Sequence, residues 1–155
     1  MNFLEQLAAE WYEYKGYFVR TNIKFEKRKA GGYVGELDVI AYKPDTKDLI
    51  HIECSTDSST WKDRQARFTK KFFNAGRNYK KIFPFHRKKV AKIAIVGFHK
   101  DRGKFDFGSN ITITLIPDFI QKITDELRNK NPMQDAIPES YPLLRAIQYS
   151  AFFNK

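Results

Sequence analysis

The sequence predicts an α/β fold in which a mixed β-sheet is flanked by helices. Runs typical of strands and helices follow one another in the order helix, three strands, long helix, two strands, two helices. A turn-type connector, KPDTKD, separates the second and third strands, which favours an antiparallel pair. The long helix after the third strand supplies the crossover that a parallel fourth strand requires.

The first part of the chain is predicted to contain one helix and three strands. Residues 2–15 place apolar side chains at helical spacing, and Gly16 is expected to end that helix. Residues 17–25, 34–42 and 49–54 are rich in β-branched and aromatic side chains, as strands are. The basic segment 26–32 ends in two glycines and is predicted to be a loop between the first two strands.

The second part begins with the longest helical pattern, residues 59–82. Its apolar stripe consists of Trp61, Phe68, Phe72, Ala75, Tyr79 and Ile82. Residues 89–98 and 111–116 are predicted strands on either side of a polar loop, and residues 118–128 and 141–152 are predicted helices. We expect one domain over residues 1–155, because this length suits a single hydrophobic core.

The chain is strongly basic, with 28 Lys+Arg against 18 Asp+Glu and a net charge of +10. A folded basic domain favours a polyanionic partner, although a solvated surface without a partner fits the charge equally well. If the partner is nucleic acid, the loop 26–30 and the segment 87–104 are expected to hold its backbone. The named candidates are Lys27, Arg28, Lys29, Arg87 and Lys88, with Tyr33 and Phe105 as aromatic side chains that either stack on bases or pack.

The single cysteine, Cys54, excludes an internal disulfide and is consistent with a reducing compartment. The first residues include several glutamates and lack the apolar region of a signal peptide. No run approaches the roughly 18 apolar residues of a membrane span. The expectation is therefore a cytoplasmic protein with no membrane partner.

The strands 34–42 and 49–54 each have one apolar face and one partly polar face, because side chains alternate along a strand. Leu37, Val39 and Ala41 are predicted to share the apolar face of the first strand. Asp38 lies on the opposite face of that strand, and Glu53 lies on the more polar face of the next. Whether the two acids meet depends on how the strands pair.

A hairpin folded symmetrically about its turn pairs Tyr42 with Leu49, and therefore Asp38 with Glu53. Directly opposed residues have Cβ atoms about 4.5–5.5 Å apart, so the two carboxylates would repel unless a cation or proton lies between them. A hard divalent ion suits such oxygen ligands. A register slip of one residue would separate the acids. The alternative is a solvated strand end where both acids pair with lysine and arginine.

Two more polar side chains share these faces. Glu36 is expected to be an auxiliary or a solvated acid. His51 lies on the same face as Glu53, where a hydrogen-bonded histidine is a more common arrangement than a metal ligand.

The segments GELDVI and HIECS resemble the metal-binding motif of the PD-(D/E)xK nuclease superfamily. Resolvase-like members of that superfamily carry an acid on a first helix, an Asp on one strand and Glu-x-Lys on the next. The resemblance covers roughly residues 1–100 in element order. It implies a restriction-endonuclease-like fold, with an αβββαβ core and C-terminal helices, and a metal-dependent endonuclease that hydrolyses phosphodiester bonds, with DNA as the expected substrate.

The same resemblance implies roles for individual residues. Asp38 and Glu53 would bind Mg²⁺ or Mn²⁺, together with the backbone carbonyl of Cys54. Glu5 fills the place of the helix acid and would act through water, with Glu10 as the alternative.

One position departs from the motif, since Ser55 stands where the superfamily has its catalytic lysine. A serine hydroxyl cannot supply a positive charge. Helical phase places Lys71 and Lys62 on opposite flanks of the apolar stripe of segment 59–82, from which a long side chain can reach past the core edge. Lys71 is the preferred substitute and Lys62 the second, while Gln65 is expected to pack at the helix edge.

Two other functions stay open from the sequence. A catalytically inactive nucleic-acid-binding domain of the same fold is favoured by Ser55. A protein-interaction module, including a homodimer, would use the aromatic C-terminal stretch AIPESYPLLRAIQYSAFF as an interface, although core packing suits that stretch better. Zinc sites, phosphate-binding glycine loops and G-x-S-x-G nucleophiles have no matching spacing in the sequence.

Overall fold

A computed structural model describes residues 1–97, 106–108 and 110–154 of the chain. The elements follow in the predicted order, and their ends shift from the predicted ones by a few residues. They are α1 (Phe3–Tyr14), β1 (Phe18–Lys27), β2 (Tyr33–Lys43), β3 (Asp48–Ser55), α2 (Trp61–Ile82), β4 (Ala91–Val96), β5 (Ile111–Leu115), α3 (Ile116–Leu127) and α4 (Pro142–Phe153). Phe98, the last residue of the predicted fourth strand, lies outside the described residues.

The five strands form one mixed sheet in the order β1-β2-β3-β4-β5. The first three strands pair antiparallel, as a meander, while β4 and β5 run parallel to β3. Helix α2 is the connection between β3 and its parallel neighbour β4. These pairings confirm the predicted α/β class with a mixed sheet flanked by helices.

Helices cover both faces of the sheet. One face packs against α1, α3 and α4, with Val39, Ile52 and Cys54 in the shared apolar cluster. The other face packs against α2, which buries Phe68, Phe72 and Ala75 as the predicted apolar stripe requires. No helix in the described part of the chain is long and apolar enough to cross a membrane.

The hairpin of β1 and β2 extends beyond the pairing of β2 with β3. Its ladder continues to Lys27 and Tyr33, whereas the β2–β3 ladder stops at Val39 and Ile52. We call residues 23–37 the hairpin arm. The predicted loop 26–32 was too long, because β1 includes Lys27 and the chain turns only over the next residues, where the Arg28 amide donates to the Gly32 carbonyl.

The pairing of β1 with β2 is interrupted where the arm leaves the rest of the sheet. Asn22 and Asp38 are missing from the β1–β2 ladder, and Asn22 has a positive φ of 53°. Beyond this irregular position Leu37 belongs to the apolar cluster on the α2 side, together with Phe25. The prediction that Leu37 shares a face with Val39 was therefore wrong, because a regular alternation of faces requires an uninterrupted ladder.

Gly35 leaves room for the ring of Phe25 within the hairpin arm. The ring of Phe25 lies across Gly35, and a Cβ atom at that position would come within 2.5 Å of the ring. A side chain at this position would displace the ring from the α2 side of the sheet. Gly35 thus sets the shape of the arm directly beside Asp38.

The C-terminal helix packs mainly inward. Leu144, Gln148 and Ala151 of α4 are buried against the rest of the fold. Tyr149 and Phe153 remain exposed on its outer side. The inner face of this aromatic stretch is thus part of the core.

Candidate functional site

The hairpin register brings Asp38 and Glu53 together. Tyr42 pairs with Leu49, as predicted, and the same register continues to the last bonded pair, Val39 and Ile52. The next two residues are the acids. The Asp38 amide donates to Glu53 Oε1 over 3.4 Å, and the Cys54 amide donates to Asp38 Oδ2 over 2.9 Å.

Both acids are buried beneath α2 and share one cation. Asp38 is 8% exposed and Glu53 is fully buried. The Lys71 ammonium lies 3.4 Å from each carboxylate oxygen of Asp38, and it also contacts Glu53 Oε2 directly. The lysine that helical phase favoured is thus the one that reaches the acid pair. The predicted role of Lys71 in catalysis stays a prediction.

The surroundings of the two acids shift their pKa values in opposite directions. Burial, and then the charge of Glu53, raises the pKa of Asp38 to about 7. Burial acts to raise the pKa of Glu53 as well, but the hydrogen bond and charge of His51, together with Lys71, outweigh it and lower that pKa. Near neutral pH the pair therefore carries between one and two negative charges.

The second carboxylate oxygen of Glu53 is held by a cation. Among the described residues, the Lys71 ammonium is the partner of Glu53 Oε2, which it contacts as an ion pair. The described residues contain no group of three or more His, Cys, Asp or Glu side chains that could hold a metal. A pair of carboxylates fits Mg²⁺, which usually takes one or two carboxylates and completes its shell with water and substrate phosphates.

The motif position occupied by Ser55 leads to a small polar cluster. The Ser55 hydroxyl donates to Asp57, which also contacts Arg67 of α2. Arg67 Nη2 donates to the Ser55 hydroxyl over 3.3 Å. Burial acts to raise the pKa of Asp57, but hydrogen bonds from Ser55 and Ser59 and the charge of Arg67 outweigh it and hold that pKa well below its usual range. The Arg67 guanidinium therefore lies within hydrogen-bond distance of the Ser55 side chain.

A cavity of about 180 Å³ opens beside the acid pair, between the hairpin arm and α2. Arg67, Lys70, Lys71 and Asn74 line it on the helix side. Phe25, Val34, Gly35 and Glu36 line it on the arm side. Neither acid is among the residues that line the cavity, and Lys71 is the residue that both lines it and contacts the two acids.

A buried hydrogen-bonded chain supports Glu53 from below. His51 Nε2 lies 2.6 Å from Glu53 Oε1, and His51 Nδ1 lies 2.6 Å from the Tyr79 hydroxyl oxygen. The imidazole is fully buried, and its ring packs edge-on against Phe72. His51 is thus the hydrogen-bonded histidine that the sequence favoured.

The two helix acids have different positions. Glu5 forms a capping box with Asn2 at the start of α1 and lies near enough to Cys54 for its charge to raise the thiol pKa, after the larger effect of burial. Glu10 is buried, and its Oε2 accepts the amides of Leu143 and Leu144 over 2.9 and 3.0 Å. Glu10 therefore caps α4, and among the described contacts none joins Glu5 or Glu10 to Asp38 or Glu53.

Replacing Glu10 by alanine is expected to lower the free energy of unfolding by about 3 kcal/mol. The change leaves two amides at the start of α4 without a partner, because the N-cap residue Tyr141 makes no capping hydrogen bond with its own side chain. Urea denaturation measures the loss. Glu13→Ala, at an exposed position of the same helix, is the control and should change stability by less than about 0.5 kcal/mol. An equal loss in both variants would contradict the assignment.

The remaining predicted site residues lie away from the acid pair. Among the described contacts, none joins Lys62 to either acid, and nine residues of helix place it about 13 Å from Lys71 along α2. Gln65 is exposed and donates to the Asp106 carbonyl over 2.7 Å, so its predicted packing role at the helix edge is not what the structure shows.

The basic residues divide between the two ends of β2. Lys27, Arg28 and Lys29 are exposed at the tip of the hairpin arm. Arg87 donates to the Pro84 carbonyl, and Lys88 donates to the Thr46 carbonyl at the opposite hairpin turn, about 17 Å along the strand from Asp38. Tyr33 is 43% exposed at the arm tip, whereas Phe105 lies outside the described residues, as do residues 98–104 of the basic segment.

Three site neighbours were not identified as such from the sequence. Arg67 precedes Lys71 by four residues on α2, and this spacing on a helix could have shown that the two cations share a face. Tyr79 follows Lys71 by eight residues and was assigned only to the apolar stripe. Asp57 lies in the connector after β3, where the sequence carries no periodic signal.

The fold and the site together define an α/β protein with a mixed five-stranded sheet and a buried acid pair beneath its crossover helix. No family model matches the sequence, and no curated protein matches it. Among solved structures, the chain is similar to one described as protein of unknown function AF1548, with a TM-score of 0.51 and 14% sequence identity. The match covers 96% of this chain and 95% of that chain, and it shows a shared fold.

Proposed function

We propose that this chain is a metal-dependent nuclease that hydrolyses phosphodiester bonds, with DNA as its substrate. The observation that carries the proposal is the buried pair Asp38 and Glu53, which lie side by side and share the Lys71 ammonium. Burying two acids against each other is unfavourable for folding, and such arrangements are concentrated at functional sites. The basic charge of the chain supports a polyanionic substrate.

The residues that would hold the metal are the two carboxylates and the backbone carbonyl of Cys54. The Cys54 amide already points towards Asp38, and an extended residue directs its amide and carbonyl to the same neighbouring strand. Mg²⁺ or Mn²⁺, when bound, would lower the pKa of a coordinated water and offset charge on the phosphate. Asp38 must give up its proton for this, which its pKa of about 7 allows at neutral pH.

The cations of α2 would bind and orient the phosphate. Lys71 would move from the acids towards the scissile phosphate once another cation balances the carboxylates, and Arg67 would contact a phosphate oxygen from the side of Ser55. Lys70 and the arm residues Lys27 to Lys29 would hold neighbouring phosphates. In the net reaction a water oxygen bonds to phosphorus, one ester bond breaks, and a proton from water ends on the released sugar oxygen.

The test joins metal binding with cleavage. Mn²⁺ is expected to raise the melting temperature, and the apparent Mn²⁺ affinity should be about tenfold weaker at pH 6 than at pH 8, because a proton occupies Asp38 below pH 7. Plasmid and branched DNA should be cut with Mg²⁺ or Mn²⁺ and left intact with a chelator. Calorimetry at the two pH values and gel electrophoresis provide the measurements.

The outcomes separate the competing functions. Salt-dependent DNA binding without metal affinity and without cleavage would identify an inactive nucleic-acid-binding domain. If the chain binds neither metal nor DNA, an acidic protein or a second copy of the chain is the remaining partner for its basic surface. Either result would end the nuclease proposal.

A further inference from the structure

We infer that His51 is a positioning residue that fixes Glu53 so that a single carboxylate oxygen, Oε2, faces the metal position and Lys71. This inference rests on the proposed function and extends it to residues that touch neither the substrate nor the metal. It is carried by the two 2.6 Å contacts of a fully buried imidazole.

The hydrogen bonds have one consistent direction. An ionised carboxylate only accepts, so His51 Nε2 carries the hydrogen that it shares with Glu53 Oε1. The other ring nitrogen, Nδ1, lies within hydrogen-bond distance of the Tyr79 hydroxyl oxygen. Each polar atom of the chain from Tyr79 to Glu53 therefore has a partner.

This arrangement uses the two oxygens of Glu53 differently. Oε1 accepts from His51 at 2.6 Å and from the Asp38 amide at 3.4 Å. Oε2 has only the ionic contact with Lys71 among the described residues. A carboxylate held in this way cannot rotate to offer both oxygens, so His51 would impose binding through one oxygen.

Packing prevents the imidazole itself from turning. Phe72 meets the His51 ring edge-on, with centroids 4.9 Å apart, and Tyr79 meets it from another side at 5.8 Å. Both residues belong to α2, the helix that also carries Lys71. The helix therefore places the cation of the site and the support of its acid together.

Two amide substitutions test the inference. In His51→Gln the amide nitrogen is as many bonds from Cβ as Nε2 is, so the donor to Glu53 is kept. In His51→Asn the amide reaches only the Nδ1 position, next to Tyr79, and the donor to Glu53 is lost. Mn²⁺ affinity should fall by about 10- to 100-fold in His51→Asn and by less than about threefold in His51→Gln.

The same change at a distant histidine, His86→Gln, is the control and should leave Mn²⁺ affinity unchanged. Thermal unfolding of each variant shows that the folded protein is being compared. Equal affinity in wild type and His51→Asn would overturn the inference alone, as would an equal loss in both His51 variants. Absence of Mn²⁺ binding by the wild-type chain would overturn the proposed function, and the inference with it.

Discussion

Substitution of Asp38 by asparagine, or of Glu53 by glutamine, is expected to reduce metal-dependent cleavage by at least about 10³-fold. Each change removes one of the two buried charges that would balance the cation, and the loss of several kcal/mol of transition-state stabilisation corresponds to this factor. Single-turnover cleavage of a labelled duplex measures the rate. The amide side chains keep the shape of the acids, so the effect reports charge.

The control replaces an acid by its amide at a position away from the acid pair. Asp45→Asn exchanges an exposed acid in the β2–β3 turn and should leave the rate within about twofold of wild type. Cleavage by Asp38→Asn and Glu53→Gln at the wild-type rate would remove both acids from the mechanism.

Without metal, Asp38→Asn is expected to raise the stability of the protein, although the same change lowers the cleavage rate. The folded state holds the Asp38 proton with a pKa of about 7, against an ordinary value of 3.8. The folded state therefore binds more protons between these values, and stability contributed by this group is lost as the pH rises from about 4 to 7. Asparagine cannot ionise, so the variant should melt at a higher temperature than wild type at pH 8 without metal.

Substitution of Lys71 by methionine is expected to lower the cleavage rate by about 10²- to 10³-fold while Mn²⁺ binding is kept. Among the described residues, the Lys71 ammonium contacts both acids. Removing one positioned donor to a developing charge lowers a reaction rate by about 10²- to 10³-fold. Metal affinity should be equal or higher, since the ammonium that shares Glu53 Oε2 is gone. Single-turnover kinetics and calorimetry measure the two effects separately.

Two further variants identify what the lysine supplies. Lys80→Met changes an exposed position of the same helix and should alter the rate by less than about threefold. Ser55→Lys combined with Lys71→Met returns an ammonium to the motif position and should recover at least about tenfold of the lost rate. Full activity of Lys71→Met alone would assign the lysine to stability.

The sequence predicted most of the fold because local signals agreed with each other. The spacing of Phe68, Phe72 and Ala75 defined the buried face of α2, and helical phase then placed Lys71, the preferred lysine, and Lys62 on its flanks. The acid pair followed from a symmetric turn, since alternation along the strands leaves few registers that bury the apolar face. Local rules were sufficient wherever neighbouring residues decided the geometry.

Contacts between segments that are distant in the chain could not be predicted from local sequence patterns. The cap that Glu10 provides for α4 joins residues 133 positions apart in the chain. The hydrogen bond between His51 and Tyr79 likewise depends on how α2 lies across the sheet. The interruption of the ladder at Asn22 could not be predicted either. A single residue with positive φ leaves no mark in the alternation of apolar and polar side chains.

The left-handed residues of β1 have a consequence for how copies of the protein meet. β1 forms one edge of the sheet, and an edge strand with free amides and carbonyls is a template for intermolecular strand addition. Asn22 and Glu26 both have positive φ, and Arg20 and Lys24 place charge along the same strand. A second chain cannot align with such a strand in regular register, so this edge should resist fibre growth even at high protein concentration.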